Sequence, residues 1–182
     1  MHPRLTELRE YVDNTRSALL SAAAAIPSDR WMERPAPDRW SLCDLFEHLY
    51  RVEHGCARMI DVRAREARAA GHPAETATSS VLGALDHVNL LDRGRRMTAP
   101  ERVTPAGGWT REQALASLAR SRDELHEGMR AAEGLALGSV MATHPRLGEI
   151  DLYTWILFVG QHEARHVPQV AEIAEQLAAT SR

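Results

Sequence analysis

The feature that most constrains this chain is a pair of histidines, His162 and His166, set in a long apolar stripe. The two residues are four apart, so on an α-helix their side chains lie one turn apart on the same face. Apolar residues recur at steps of three and four around the pair, as they do in a helix that buries one face. The flanking members are Trp155, Val159, Val170, Ile173 and Leu177. The histidine pair is therefore predicted to face a protein core.

Two imidazoles aimed at a core need polar partners, because an unsatisfied buried polar group is costly. A single metal ion satisfies both, and zinc binds histidine nitrogens at about 2.0–2.1 Å. The alternative is a pair of core histidines that hydrogen-bond to side chains or backbone. For two histidines at ligand spacing, the metal interpretation is favoured.

Length and composition predict a single domain over residues 1–182. Hydrophobic residues make up 44% of the chain and charged residues 26%, which excludes a disordered chain and a membrane protein. The first ten residues contain no apolar signal-peptide core. The most apolar run, 154–159, is far too short to span a bilayer. No membrane partner is expected.

The charge pattern argues against nucleic acid as a partner. The net charge is −3, and the basic residues are all arginines scattered among acids. Cys43 and Cys56 fall in one predicted helix, roughly 20 Å apart along its axis, so they cannot form a disulfide with each other. Free thiols favour a cytoplasmic location.

Apolar periodicity and capping signals predict four main helices and no strand. Ser41 with Asp44, and Thr110 with Gln113, have the spacing of capping boxes. The first three helices are predicted at about 5–26, 42–70 and 111–132. The fourth carries the histidine pair.

The connection between the second and third helices spans residues 71–109, much longer than a tight turn requires. It is long enough to cross a bundle, so these helices are predicted to run parallel, with a short helix within 81–91. In the connection before the fourth helix, His144 precedes a proline and is predicted to be extended. It could line the mouth of a site, but a plain loop residue is favoured. Either Glu149 or Asp151 caps the fourth helix.

A third metal ligand is predicted on the second helix. His48 lies among the apolar residues of that helix, whereas His54 points about 240° away around the axis and is predicted to lie at the surface. His126, on the third helix, is predicted to be partly exposed. A lone histidine on an apolar face is usually a core residue, but a two-histidine site elsewhere makes His48 a candidate ligand. Three imidazoles leave coordination positions open, as catalytic metal sites do.

The motif H-E-x-x-H over residues 162–166 also matches zinc peptidases, in which Glu163 would be the general base. The extended form of that motif requires glycine and histidine where this chain has Gln169 and Glu172. The remaining residues continue the same helix, and no strand to hold a peptide is visible. A peptidase is therefore disfavoured, and Glu163 is expected to bond to an arginine.

Several stretches of the chain resemble motifs of the DinB-like superfamily. The second helix carries Trp40-Ser41 followed by the sequence DLFEHL over residues 44–49. The second motif consists of HPRLG over 144–148, then Trp155, then HEARH over 162–166. Residues 100–105, Trp109 and Ser121-Arg122 also look like the middle section of that family.

The resemblance implies an all-α four-helix bundle, up-down-down-up, with a long crossover between helices two and three, and often a homodimer. It implies a nickel or zinc ion on a histidine triad, here His48, His162 and His166. Similar proteins include a bacillithiol S-transferase and a mycothiol-dependent maleylpyruvate isomerase. One departure is Pro168, which removes a backbone bond to Ala164 and is predicted to kink the helix.

The expected function is that of a metal-dependent small-molecule enzyme, such as an S-transferase for a low-molecular-weight thiol. Its substrates would be a small thiol and an electrophile, and the ion would lower the thiol pKa. The alternative is a metal- or ligand-binding bundle without turnover, linked to stress. A small metallohydrolase is less favoured.

Overall fold

A computed structural model describes residues 1–94 and 98–180, which are mostly helical with a small two-stranded sheet. The long helices are α1 (Pro3–Ala23), α2 (Leu42–Ala69), α3 (Arg111–Ala131) and α4 (Leu152–Thr180). Short 3-10 helices lie at Ser28–Arg30, Leu82–Val88, Glu101–Val103 and Leu137–Ser139. The strands are β1 (Met141–His144) and β2 (Gly148–Asp151).

The predicted starts of α2 and α3 are confirmed by their capping boxes. The Ser41 hydroxyl accepts the backbone N–H of Asp44 at 3.0 Å, and the Asp44 carboxylate accepts the backbone N–H of Ser41 at 3.0 Å. Thr110 and Gln113 make the same reciprocal pair at 3.3 and 2.9 Å. These bonds satisfy N–H groups that a helix start leaves without intrahelical partners.

Asp151, and not Glu149, caps α4, because its carboxylate accepts the backbone N–H of Thr154 at 2.9 Å. The helix continues past Pro168 to Thr180. The histidine pair therefore stands near the middle of one long helix.

The prediction that the chain has no strand is wrong. Strands β1 and β2 pair antiparallel, from Met141 opposite Asp151 to His144 opposite Gly148. Each strand has four residues, too few for a clear alternation of apolar and polar side chains. Since an isolated hairpin is marginal in water, tertiary contacts support it. The indole N–H of Trp155 donates to a β1 carbonyl at 3.1 Å.

The remaining predicted helices differ from the observed ones in helix type or in their end residues. The short helix expected within 81–91 is a 3-10 helix, and α1 ends at Ala23, three residues before the predicted end. Residues 95–97 of the predicted crossover lie outside the described part of the chain. Within the described ranges, no helix is both long and apolar enough to cross a membrane.

A layer of polar side chains divides the core into two apolar clusters. The packing is chiefly α2 against α3, α1 against α4, and α2 against α4. Along α2, Leu49 belongs to one cluster and Cys56 to the other, with the buried Glu53 between them. Along α4, Val159 and Val170 belong to different clusters, and the histidine pair lies between them. This polar layer contains the candidate site.

Candidate metal centre

The side chains of His48, His162 and His166 converge between α2 and α4. One ring nitrogen from each lies within 4.8 Å of the others. The Nε2 atoms of His48 and His162 are 3.3 Å apart. In the described part of the chain this is the one cluster of three or more metal-ligating side chains. The structure thus brings together the three residues predicted as ligands.

Hydrogen bonds behind the rings of His48 and His166 turn their other nitrogens inward. Nδ1 of His48 lies 2.8 Å from the carbonyl oxygen of Val103, and Nδ1 of His166 lies 2.8 Å from Oε1 of Gln169. Both oxygens only accept hydrogen bonds, so each Nδ1 carries the proton. Each Nε2 then presents a lone pair, which is the arrangement usual for metal-ligating histidines.

Burial keeps all three imidazoles neutral. It lowers the pKa of His48, and with the charge of His48 it lowers the pKa of His166 to about 4. The pKa of His162 falls well below its usual range because of burial and then the neighbouring histidine charges. Neutral imidazole is the form that binds metal ions.

The spacing suits a divalent ion. Two nitrogens bound to a tetrahedral zinc ion at about 2.0–2.1 Å lie about 3.3 Å from each other. The Nε2 atoms of His48 and His162 are 3.3 Å apart. Without an ion, this contact is a hydrogen bond in which the Nε2–H of His162 donates to His48. Three imidazoles suit zinc and nickel alike.

The extended conformation predicted for His144 is confirmed, but the interpretation of His144 as a plain loop residue is wrong. It ends β1, is only 8% exposed, and packs its ring 4.8 Å from Trp155 and 4.5 Å from Phe158. Phe158 in turn lies 5.6 Å from the ring of His162. The burial of His144 follows from the hairpin, which sequence periodicity did not reveal.

Glu163 points away from the triad and bonds to arginines, as predicted. Its carboxylate accepts Nε of Arg16 at 2.5 Å, Nη2 of Arg122 at 2.9 Å and the hydroxyl of Thr15 at 3.1 Å. Both carboxylate oxygens are therefore engaged. Glu163 is a structural residue here and not a free base beside the metal ligands.

Glu53 completes a buried network of four charges, one from each long helix. It accepts Nη2 of Arg16 at 2.6 Å and Nε of Arg122 at 2.7 Å. Burial tends to raise the pKa of Glu53, but the two arginine charges outweigh it and lower that pKa. Sequence reasoning missed this four-charge network (Arg16, Glu53, Arg122 and Glu163). A charged residue within an apolar stripe is the sequence pattern that could have indicated it, as with Arg16 between Val12 and Leu19.

The other histidines and the cysteines lie outside the triad. His54 bonds to Glu124, and His126 bonds to Asp13; both histidines are half-buried. Cys43 and Cys56 are free and buried. Burial raises the pKa of Cys43 to about 11 and that of Cys56 to about 12. Neither thiol is therefore suited to be a nucleophile.

These features define a class of mostly helical protein in which three histidines could hold a metal ion. The DinB superfamily matches residues 11–170, and the chain belongs to this family. The uncharacterised protein YuaE of Bacillus subtilis is 23% identical over 164 residues, which cover 84% of this chain and 88% of that relative. No solved structure matches the chain.

Proposed function

We propose that the protein is a metal-dependent enzyme that transfers a low-molecular-weight thiol to a small electrophile. His48, His162 and His166 would hold the ion, zinc or nickel. The observation that carries the proposal is the neutral triad in which His48 and His166 turn lone pairs inward. An ion held by three neutral ligands keeps its full charge and lowers the pKa of a bound thiol from about 8.5.

The residues around the triad favour this chemistry over hydrolysis. Glu163 is occupied by Arg16 and Arg122, so it is not free to take a proton from water. A thiol that ionises on a metal has less need of a protein base. Since Cys43 and Cys56 are buried, the thiol would come from solution.

Metal content and thiol conjugation together test the proposal. The full chain is prepared metal-free, then loaded with zinc or nickel, and thiol loss is followed with monochlorobimane. Because only a few per cent of a free thiol is ionised at neutral pH, loading is expected to raise the rate about tenfold or more.

The variant with His48, His162 and His166 all changed to alanine should bind no metal and give the metal-free rate. His126→Ala is the matched control and should keep both properties, since His126 pairs with Asp13 outside the triad. Equal rates for metal-free and loaded wild type, across several small thiols, would refute the transferase.

The second candidate function is metal binding without turnover, and the cavity beside His162 favours it. This cavity has a volume of about 10 Å³ and is lined by Leu49, Val52 and Val159 together with charged residues of the four-charge network. It has room for one water, so a substrate does not reach His162 from this side. If the protein binds metal without turnover, the triad binds the ion, but metal loading does not change the rate in the thiol assay.

The helix arrangement, an up-down-down-up four-helix bundle, is part of the same proposal. It is supported by two contacts between α2 and α3, in which the later residue of α2 meets the later residue of α3. His54 bonds to Glu124, and Arg68, further along α2, bonds to the carbonyl of Ala131, further along α3. Parallel α2 and α3 require the long crossover that separates them in the chain.

A cytoplasmic homodimer completes the proposal. Family membership supports the dimer, and the two free cysteines support the location. Light scattering at micromolar concentration should give twice the mass of the chain. A monomer there would contradict the dimer without affecting the metal site.

A further inference from the structure

The segment that ends in Val103 lies directly against the triad. The carbonyl of Val103 accepts the Nδ1 proton of His48, so Arg102 is one residue from a contact with a candidate ligand. The same segment is tied to the β-hairpin, because Arg146 donates to the carbonyl of Thr98 at 2.7 Å. Arg102 and the buried His144 are therefore carried by two connected pieces of chain beside the site.

Arg102 has unused hydrogen-bonding capacity. Its side chain is exposed, and it forms no hydrogen bond or ion pair with any residue in the described ranges. Most other arginines in those ranges are paired, as Arg34 is with Asp44 and Arg51 with Glu47. A guanidinium offers five N–H donors in a planar fork, which matches the two oxygens of a carboxylate.

His144 offers a further donor in a fixed direction. Its Nδ1 accepts the backbone N–H groups of Arg146 and Leu147, each at 3.2 Å. The ring proton must then be on Nε2. His144 is more than nine-tenths buried, and no acceptor for Nε2–H is found among the described residues. The Nε2–H donor is available to a ligand.

The charges that act around this part of the site are mainly positive. After burial, the charges of Arg102 and Arg146 lower the pKa of His144. The pKa of His166 is lowered by burial, then by His48, and further by Arg165 and Arg93, while the hydrogen bond that His166 donates to Gln169 opposes them. An anion placed beside His144 is attracted by Arg102 and Arg146, whereas the charge of Arg93 is paired with Glu172.

We propose that Arg102 and His144 form an anion subsite beside the histidine triad, and that it holds the carboxylate of a small-molecule substrate. The guanidinium of Arg102 would bind both carboxylate oxygens, and the Nε2–H of His144 would donate to one of them. The assignment of this carboxylate to a substrate rests on the proposed function. The binding of a carboxylate does not, since it requires neither a metal nor a thiol.

Calorimetric titration with succinate, which has no thiol, tests the subsite in the metal-free full chain and in the zinc-loaded chain. Arg102→Gln should weaken binding about tenfold or more, because hydrogen bonds to charged groups are strong. His144→Asn should weaken it by a smaller factor, because the asparagine oxygen can accept the two backbone N–H groups but the ring N–H is lost.

Arg58→Gln is the matched control and should leave the affinity unchanged, because Arg58 is an exposed arginine on α2 without a described partner. Equal affinities for wild type and Arg102→Gln would overturn the subsite. So would binding that appears only with zinc and does not depend on Arg102, since the carboxylate would then bind the ion. Failure of thiol transfer leaves these results unaffected, which separates the two proposals.

A second comparison identifies which substrate carries the carboxylate. In the zinc-loaded protein, 3-mercaptopropionate and its methyl ester react with uncharged monochlorobimane. A lower KM for the acid that disappears in Arg102→Gln assigns the carboxylate to the thiol and supports the subsite. Where succinate binding depends on Arg102 but the two thiols have equal KM, the subsite stands and the carboxylate belongs to the electrophile.

Discussion

Two polar clusters lie side by side in the core, and the peptide bond between His162 and Glu163 joins them. They offset the free-energy cost of burying polar side chains in opposite ways. In the four-charge network, each carboxylate bonds to both arginines, over distances of 2.5–2.9 Å. In the triad, burial lowers the histidine pKa values and the side chains stay neutral. One cluster keeps its charges by pairing them, and the other avoids charge.

The difference determines what each cluster can do. The network is saturated, so it fastens four helices together but has nothing left for a ligand. The triad has an imbalance, because His48 and His166 both turn lone pairs inward and neither supplies a proton there. A divalent cation binds such lone pairs, whereas a further carboxylate, which only accepts hydrogen bonds, does not.

The largest effect is expected from breaking the network at Glu53. Glu53→Gln leaves Arg16 and Arg122 with too little negative charge in a buried position. Unpairing a buried ion pair costs about 3–5 kcal/mol of unfolding free energy. Urea unfolding of the metal-free protein measures this loss. Glu66→Gln removes an exposed partner of Arg63 and should change stability by less than about 1 kcal/mol. Equal losses of unfolding free energy in the two variants would show that the buried network stabilises the protein no more than an exposed ion pair does.

The triad should make the metal-free protein sensitive to acid. The folded pKa of His166 is about 4, below its ordinary value of 6.5. Between these values the unfolded chain binds the proton and the folded chain does not. Stability is therefore unaffected above pH 6.5 and falls as the pH drops towards 4, by about 1.4 kcal/mol per pH unit for one histidine. Urea unfolding of wild type and His166→Gln across this window should give a shallower fall for the variant. Parallel curves would contradict the lowered pKa.

The triad was accessible to sequence reasoning because local patterns carry it. His162 and His166 have ligand spacing within an apolar stripe, and His48 falls among apolar residues after the capping box at Ser41. Helix starts were also predictable, since Ser41 and Asp44 act over three residues.

The network was not accessible because its contacts are long-range, and the hairpin was not accessible because its four-residue strands are too short for a clear alternation. Arg16 and Glu53 are 37 residues apart in sequence, and Arg16 and Glu163 are 147 apart. No local spacing connects them. The hairpin depends on Trp155, which bonds to β1 from a different element. The burial of His144 could be seen only after those contacts were known.

A smaller effect should follow when the support behind one ligand is removed. Gln169→Ala deletes the acceptor that holds Nδ1 of His166, and losses of this kind reduce metal affinity about 10–100-fold. Competition against a chromophoric chelator measures the affinity for zinc. Gln176→Ala, at an exposed position of α4, is the control and should have no effect. Unchanged affinity in Gln169→Ala, with metal binding lost in His166→Ala, would show that this hydrogen bond does not orient the ligand.

The smallest expected effect is that of zinc on peptidase activity. The zinc-loaded protein should not cleave casein above the metal-free background. In a zinc peptidase with this motif, the glutamate beside the first histidine takes a proton from water at the metal. Here Glu163 is 3% exposed, and its two oxygens are held by Arg16 and Arg122. Freeing it would require breaking the four-charge network.

A fluorescent casein assay, with a known zinc peptidase run in parallel, makes the measurement over several hours. Sustained, zinc-dependent cleavage that Glu163→Gln abolishes at equal zinc content would mean that Glu163 can leave the arginines and act at the triad. The two clusters would then be one catalytic unit, and the contrast between a saturated network and an open triad would be wrong. If the clusters are separate, Glu163→Gln lowers the unfolding free energy, as Glu53→Gln does, and leaves the casein signal at background.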